Sequence, residues 1–146
     1  MLIYDYEHHM DWFYKYAVVL CPSISNPLNG VVSMSNSGYY PSTATYTCNS
    51  GYALSNSSYG SIGCQATGSL TFWASSPPTC DGLPCPPLTN PDNGQVTTSN
   101  GARFPSTATY SCNNGFILSN SSLTTIACQF ASSVTSWVAA PPNCNR

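Results

Sequence analysis

Charge is scarce in this chain of 146 residues, which carries three Lys plus Arg, five Asp plus Glu and two His. Asp5, Glu7, Asp11 and Lys15 precede the first cysteine. Beyond it only Asp81, Asp92, Arg103 and Arg146 remain, and they cancel. Nucleic-acid binding needs clustered Lys and Arg to neutralise phosphates, so that partner class is excluded. His8 and His9 both lie in the leading segment, so nothing from Cys21 onward is a histidine, a lysine or a glutamate. Proton transfer and nucleophilic attack both need a base, or a nucleophile beside one. Asp81 and Asp92 form no pair at a telling spacing, and the many serines have no activating neighbour. The composition therefore speaks against an enzyme, and it implies no cofactor. No run approaches 18 apolar residues, so no membrane-spanning helix is written here. No window repeats its apolar residues at the helical period, and Pro and Gly punctuate throughout, which predicts short strands and loops with almost no helix.

What is abundant is cysteine, and it is repeated. Cys21, Cys48, Cys64 and Cys80 are spaced 27, 16 and 16 apart, and Cys85, Cys112, Cys128 and Cys144 repeat those intervals 64 residues on. Residues 41–58 and 105–122 agree at 14 of 18 positions, with Tyr52 matched by Phe116. A fixed period defines the structural unit. The chain is two copies of a short unit, residues 21–80 and 85–144, joined by "DGLP" at 81–84 and preceded by 20 residues that belong to neither copy. A unit of about 60 residues buries too little surface to fold comfortably alone, and cysteines are the usual staples. A bridge closing a loop of roughly 40 residues stabilises by about 4 kcal/mol in the chain-entropy model. Disulfides imply an oxidising compartment, outside the cell or along the secretory route. A zinc site fails as an alternative, because there is no C-x-x-C pair and no histidine inside either copy.

Each unit opens with Cys-Pro and then Asn-Gly (Asn29-Gly30, Asn93-Gly94), which reads as a tight turn supplying two residues tolerant of positive φ. Residues 33–40 and 97–104 read as Ser/Asn/Gly loops. Ala44, Tyr46 and Cys48 then alternate with Thr45 and Thr47, the period of a half-buried strand. Gly51 and Gly115 break that strand. Ile62 with Cys64, and Ile126 with Cys128, share one face. Trp73 and Trp137 bring a large ring close to the bridges. Four cysteines allow three pairings per unit. The four-residue joint fits units that begin at one pole and end at the other, which disfavours first-to-fourth and leaves the other two open.

The leader at residues 1–20 starts acidic, and Lys15 interrupts its apolar part, so it is a poor secretory signal. It reads as a disordered or truncated piece of a longer protein. Its aromatics, Tyr4, Tyr6, Trp12, Phe13, Tyr14 and Tyr16, also admit reading as a sticky stripe.

The order Cys-Pro, Asn-Gly, Tyr-x-Cys, Gly-Tyr/Phe-x-Leu, Cys, Trp, Pro-x-Cys resembles the complement control protein module, also called sushi or short consensus repeat. The resemblance implies an all-β fold: two small, elongated, disulfide-stapled β-sandwiches arranged head to tail. It implies the pairs Cys21–Cys64, Cys48–Cys80, Cys85–Cys128 and Cys112–Cys144. It also implies extracellular recognition of a protein or glycan ligand, of the complement-regulator, adhesion or receptor-ectodomain kind. The alternative is a passive spacer or matrix element within a larger protein, or an exosite carried by an appended enzyme. Two positions depart from the family pattern. Asn56 and Asn120 stand where a turn glycine is usual, and Asn is the next-best residue at positive φ. Ser132 replaces the glycine matched by Gly68, so a slightly different turn is expected there.

Three groups of residues are candidate sites. Asn56 and Asn120 are the two N-x-S/T acceptors, on expected exposed turns, and are candidates for glycosylation. The loops differ most between copies while the frame persists, which is how binding surfaces are commonly built. They offer Met34 and Tyr39 in the first copy and Arg103 in the second, residue types enriched at interfaces. Arg103 is the lone basic residue inside either copy. Leu83 is expected to plug the junction.

Overall fold

The computed structural model describes residues 19–146. Both units have the same two-sheet plan. In the first module β1 (Gly30–Met34), β2 (Thr43–Cys48), β4 (Ser61–Thr67) and β5 (Leu70–Trp73) form an antiparallel sheet in the order β1-β2-β4-β5, and β3 (Tyr52–Leu54) pairs with β6 (Cys80–Gly82). In the second, β7 (Gly94–Thr98), β8 (Thr107–Cys112), β10 (Thr125–Ala131) and β11 (Val134–Trp137) repeat the larger sheet, while β9 (Ile117–Leu118) pairs with β12 (Cys144–Asn145). Among the described residues helix is confined to short 3-10 turns such as Ser57–Tyr59. Among the described residues no helix is long and apolar enough to cross a membrane, and no cluster of three His, Cys, Asp or Glu could hold a metal.

The alternation read in β2 decides what is buried. Ala44 and Tyr46 are buried while Thr43, Thr45 and Thr47 face solvent, and Ala108 and Tyr110 repeat this in β8. Each core is three buried side chains, Ala44, Tyr46 and Ile62 or Ala108, Tyr110 and Ile126, ringed by half-buried residues that include Trp73 or Trp137. The indole N–H is satisfied where the ring lies: Trp73 Nε1 donates to the Pro22 carbonyl at 2.9 Å and Trp137 Nε1 to that of Pro86 at 2.8 Å. So small a core leaves much of the work to sulfur. The structure joins Cys21 to Cys64, Cys48 to Cys80, Cys85 to Cys128 and Cys112 to Cys144. That is the pairing implied by the resemblance, one clasp near each pole of each module.

Several local expectations change. In the Asn-Gly turns only the asparagine has positive φ, 61° at Asn29 and 58° at Asn93. The glycine is needed for space, since a Cβ on Gly30 would lie 2.6 Å from Cys80 Sγ and one on Gly94 2.6 Å from Cys144 Sγ. Residues 33–34 and 97–98 are not loop: they extend β1 and β7, with Met34 opposite Ala44 and Thr98 opposite Ala108, because cross-strand pairing carries the ladder further than the loop-like composition suggests, helped in β7 by two β-branched threonines. Asn56 and Asn120 do not use positive φ. They are extended, at −139° and −137°, and act as caps. The turn difference at Ser132 is present: Ser132 and Ser133 both have positive φ, whereas in the first module Gly68 does.

Most of the leading segment, residues 1–18, lies outside the described residues. Val19 and Leu20, counted with that segment from sequence, are bonded into the first module. The Tyr40 N–H donates to the Val19 carbonyl at 2.8 Å, Leu20 bridges Tyr39, and Thr71 Oγ1 donates to the Leu20 carbonyl at 2.6 Å.

Candidate functional site

The two modules meet through backbone as well as side chains. The strand that ends the first module, β6, runs directly into the linker. The Leu83 N–H donates to the Gly51 carbonyl and the Phe104 N–H to the Leu83 carbonyl, each at 2.9 Å. Pro84 forms a β-bridge with Arg103, and Arg103 Nη1 donates to the Gly82 carbonyl at 2.8 Å. Leu83 is thus tied to both modules by its main chain. The ring that plugs the joint is Phe104, edge-on to Tyr52 at 5.5 Å and tilted against Phe130 at 6.3 Å.

Two glycines make room for Phe104, one for its ring and one for its backbone. A Cβ on Gly51, which has φ of 86°, would lie 2.5 Å from the Phe104 ring, and a Cβ on Gly82 would run into the Phe104 backbone carbonyl. Neither role was visible in the repeat. Gly51 is matched by Gly115, whose Cβ position is empty space, so the repeat explains it as a strand breaker. Gly82 lies in the linker, where a glycine reads as slack. The one available signal was Phe104 itself, an aromatic ahead of Pro105.

Beside the ring is an inter-module cleft of about 350 Å³, lined by Asn29, Tyr52, Asp81, Asn100 and Arg103 among others. Two of the four charges beyond Cys21, and both signs, face this one cleft. The guanidinium is anchored on the Gly82 carbonyl, and Asp81 accepts from the Thr79 hydroxyl at 3.1 Å. Arg103 is therefore held in place by main chain and presents its remaining donors to the cleft. A second, wider groove of about 590 Å³ runs along the first module past Ile24, Leu28, Pro77 and Pro78.

The other sequence-derived candidates are scattered. Met34 is exposed at the end of β1. Tyr39 is exposed at the first module's leading pole, at the position that Arg103 takes in the second module. Asn56 and Asn120 sit far along the chain from both, each on a solvent-exposed turn. Their Oδ1 atoms accept from the Ser58 and Ser122 N–H groups at 3.0 Å. That bond ties the amide oxygen to the turn it caps.

The frame fixes the family: the sushi repeat (SCR repeat) model matches residues 21–80 and again 85–144. The chain belongs to the sushi repeat family. Its modules resemble those of E-selectin from Bos taurus (34% identical over 111 residues, 71% of this chain and 22% of the relative). They also resemble membrane cofactor protein from Bos taurus (33% over 135 residues, 85% and 35%) and the complement control protein homolog of Saimiriine herpesvirus 2 (34% over 119 residues, 81% and 32%). This sushi tandem spans about a third or less of the length of these relatives.

Proposed function

We propose that this sushi tandem is an extracellular recognition unit that reads a protein or glycan partner across its inter-module cleft and catalyses no reaction. The observation that carries this reading is the convergence at the joint of Arg103, Asp81 and Tyr52. They come from both modules and the linker, are held by the Gly82 carbonyl, the Thr79 hydroxyl and the Phe104 ring respectively, and open onto a cleft large enough for a side chain or a sugar ring. The relatives include a selectin and complement proteins, which supports recognition in an oxidising extracellular setting, as do the four disulfides. Met34 and Tyr39 would add contacts from the first module's loops.

The test is binding of the labelled tandem to arrays of cell-surface proteins and glycans, with Arg103→Ala and Asp81→Asn as variants. Loss of at least about tenfold in affinity in either variant supports the cleft. Unchanged binding in both removes it, and a tandem that binds nothing on any array supports the spacer reading, which the fixed joint also favours. A Gly/Ser replacement of residues 33–40 asks the same of the loop. We further propose that Asn56 and Asn120 carry N-linked glycans. Expression in a eukaryotic secretory host should give two glycan masses, each lost in Asn56→Gln or Asn120→Gln; an unmodified mass from that host refutes it.

A further inference from the structure

Four Asn-Gly pairs occur in the chain: Asn29-Gly30, Asn93-Gly94, Asn100-Gly101 and Asn114-Gly115. In such a pair the backbone nitrogen that follows can attack the asparagine amide, and glycine has no side chain to obstruct the approach. Asparagine counts among the thermolabile residues. By sequence the four pairs are alike, but in the fold they are not. Attack needs two freedoms. The glycine N–H must be able to give up its proton, and the asparagine amide must swing onto the nitrogen. At the first two pairs the nitrogen is engaged: the Gly30 N–H donates to the Pro27 carbonyl and the Gly94 N–H to the Pro91 carbonyl, each at 3.1 Å. Both glycines also begin a strand and lie tight against a disulfide, where a Cβ would lie 2.6 Å from sulfur. At the third pair the amide is engaged. Asn100 Nδ2 donates to the Arg103 carbonyl at 3.0 Å and reaches the Pro105 carbonyl at 3.4 Å.

The fourth pair has neither restraint. Asn114 and Gly115 are the exposed central residues of a turn, closed by the Phe116 N–H on the Asn113 carbonyl at 3.0 Å. Among the described residues neither the Asn114 amide nor the Gly115 N–H has a hydrogen-bond partner. Apart from its chain neighbours, no atom lies within 4 Å of where a Gly115 Cβ would be. The first module supplies the contrast. Its matching pair is Ser50-Gly51, which has no amide to lose, and Gly51 is buried beneath the Phe104 ring.

We propose that Asn114 is a site of spontaneous deamidation, the Asn-Gly pair that the fold leaves reactive. The Gly115 nitrogen, its proton passed to hydroxide, bonds to Asn114 Cγ. The bond from Cγ to Nδ2 breaks, and Nδ2 leaves as ammonia, closing a cyclic imide. Water then opens the imide at either carbonyl, leaving aspartate or isoaspartate. Water is the sole co-reactant, and nothing is oxidised or reduced. No acidic residue follows Asp92 in the sequence. The new carboxylate would therefore be the first acidic group on the turn that leads into Phe116, whose ring the Arg146 guanidinium covers at 5.6 Å. This inference does not depend on the proposed ligand cleft.

The test is incubation of the full, oxidised chain in warm, mildly alkaline buffer, followed by peptide mapping for the amide-to-acid mass change and for isoaspartate. Asn114 should convert at least about tenfold faster than Asn29, Asn93 or Asn100, which react only when their surroundings open. In the reduced, alkylated chain the four rates should converge, because only the fold distinguishes the pairs. Asn114→Ser, which copies the first module, should remove the fast product and leave folding intact. Ser50→Asn is a second variant: its amide, beside a covered glycine, should react at least about tenfold more slowly than Asn114. Comparable rates at the four native pairs in the folded chain overturn the proposal, as does any order in which Asn114 is not first. Equal rates at positions 50 and 114 in the Ser50→Asn variant overturn it too, since the cover would then count for nothing.

Discussion

The first and second modules are nearly the same object inside and different objects outside. Equivalent bonds recur to within a tenth of an ångström: Cys64 to Ser42 and Cys128 to Ser106 at 2.7 Å, Ser42 to Ser35 and Ser106 to Ser99 at 2.6 Å. Yet among the described residues nine of the twelve exposed large apolar side chains lie in the first module or the two residues before it. Val31 is matched by Gln95, Leu28 by Asp92 and Phe72 by Ser136. A frame closed by two disulfides tolerates wide change at its surface, because stability there does not depend on which side chain points outward. The comparison separates what the fold requires from what the two surfaces are free to vary, and it locates the variation on the first module and at the joint.

The sharpest way to break the symmetry is to open one clasp. Cys48→Ala with Cys80→Ala should cost the first module about 2–5 kcal/mol and unfold it at a temperature where the second remains native, as two separated transitions in calorimetry. Loss of both modules together would mean that the joint couples them into one cooperative unit.

A smaller effect isolates the joint. Gly51 and Gly115 share φ of 86°, so alanine at either costs about 1–2 kcal/mol from left-handed strain. Gly51→Ala should cost roughly 1–3 kcal/mol more, through the Phe104 ring it would strike, and should broaden the distance distribution between spin labels placed one per module. Equal costs at the two sites would show that Phe104 is not held in solution.

Alkali should act on both modules alike. Burial pushes the Tyr46 and Tyr110 hydroxyls up from the ordinary value near 10. The unfolded chain therefore gives up those protons first. Stability is fully present below about pH 10 and is lost as pH rises beyond it, which urea melts at pH 9 and pH 11 would compare. The smallest effect is expected at the same groups. Neither buried hydroxyl has a hydrogen-bond partner among protein atoms. Tyr46→Phe and Tyr110→Phe should be nearly neutral or slightly stabilising in thermal melts, and a loss above about 1 kcal/mol would point to a bound water bridging the hydroxyl.

Much of the frame was legible because it is written in short-range pattern. The period-two run at residues 44–48 placed the core strand, and Gly51 and Gly115 marked its end. Cysteine spacing marked the two units, while the choice of disulfide pairing came through family resemblance. The site was less legible. Arg103 stood out as a lone base, but its anchor, the Gly82 carbonyl, is 21 residues away. Phe104 reads locally as the start of a strand, and its role as the plug depends on Tyr52 and Gly51 of the other module. Asn56 looked like a backbone choice and proved to be a side-chain choice, since a cap at extended φ and a residue at positive φ both favour asparagine.

By itself the sequence determined the repeat, the reliance on cysteine staples and the all-β character, because cysteine spacing, alternation and turn residues act over a few neighbouring positions. Only the tertiary structure decided which glycine is slack and which is a socket, and how the modules are locked. Those depend on approach distances between segments far apart in the chain, which no local pattern encodes.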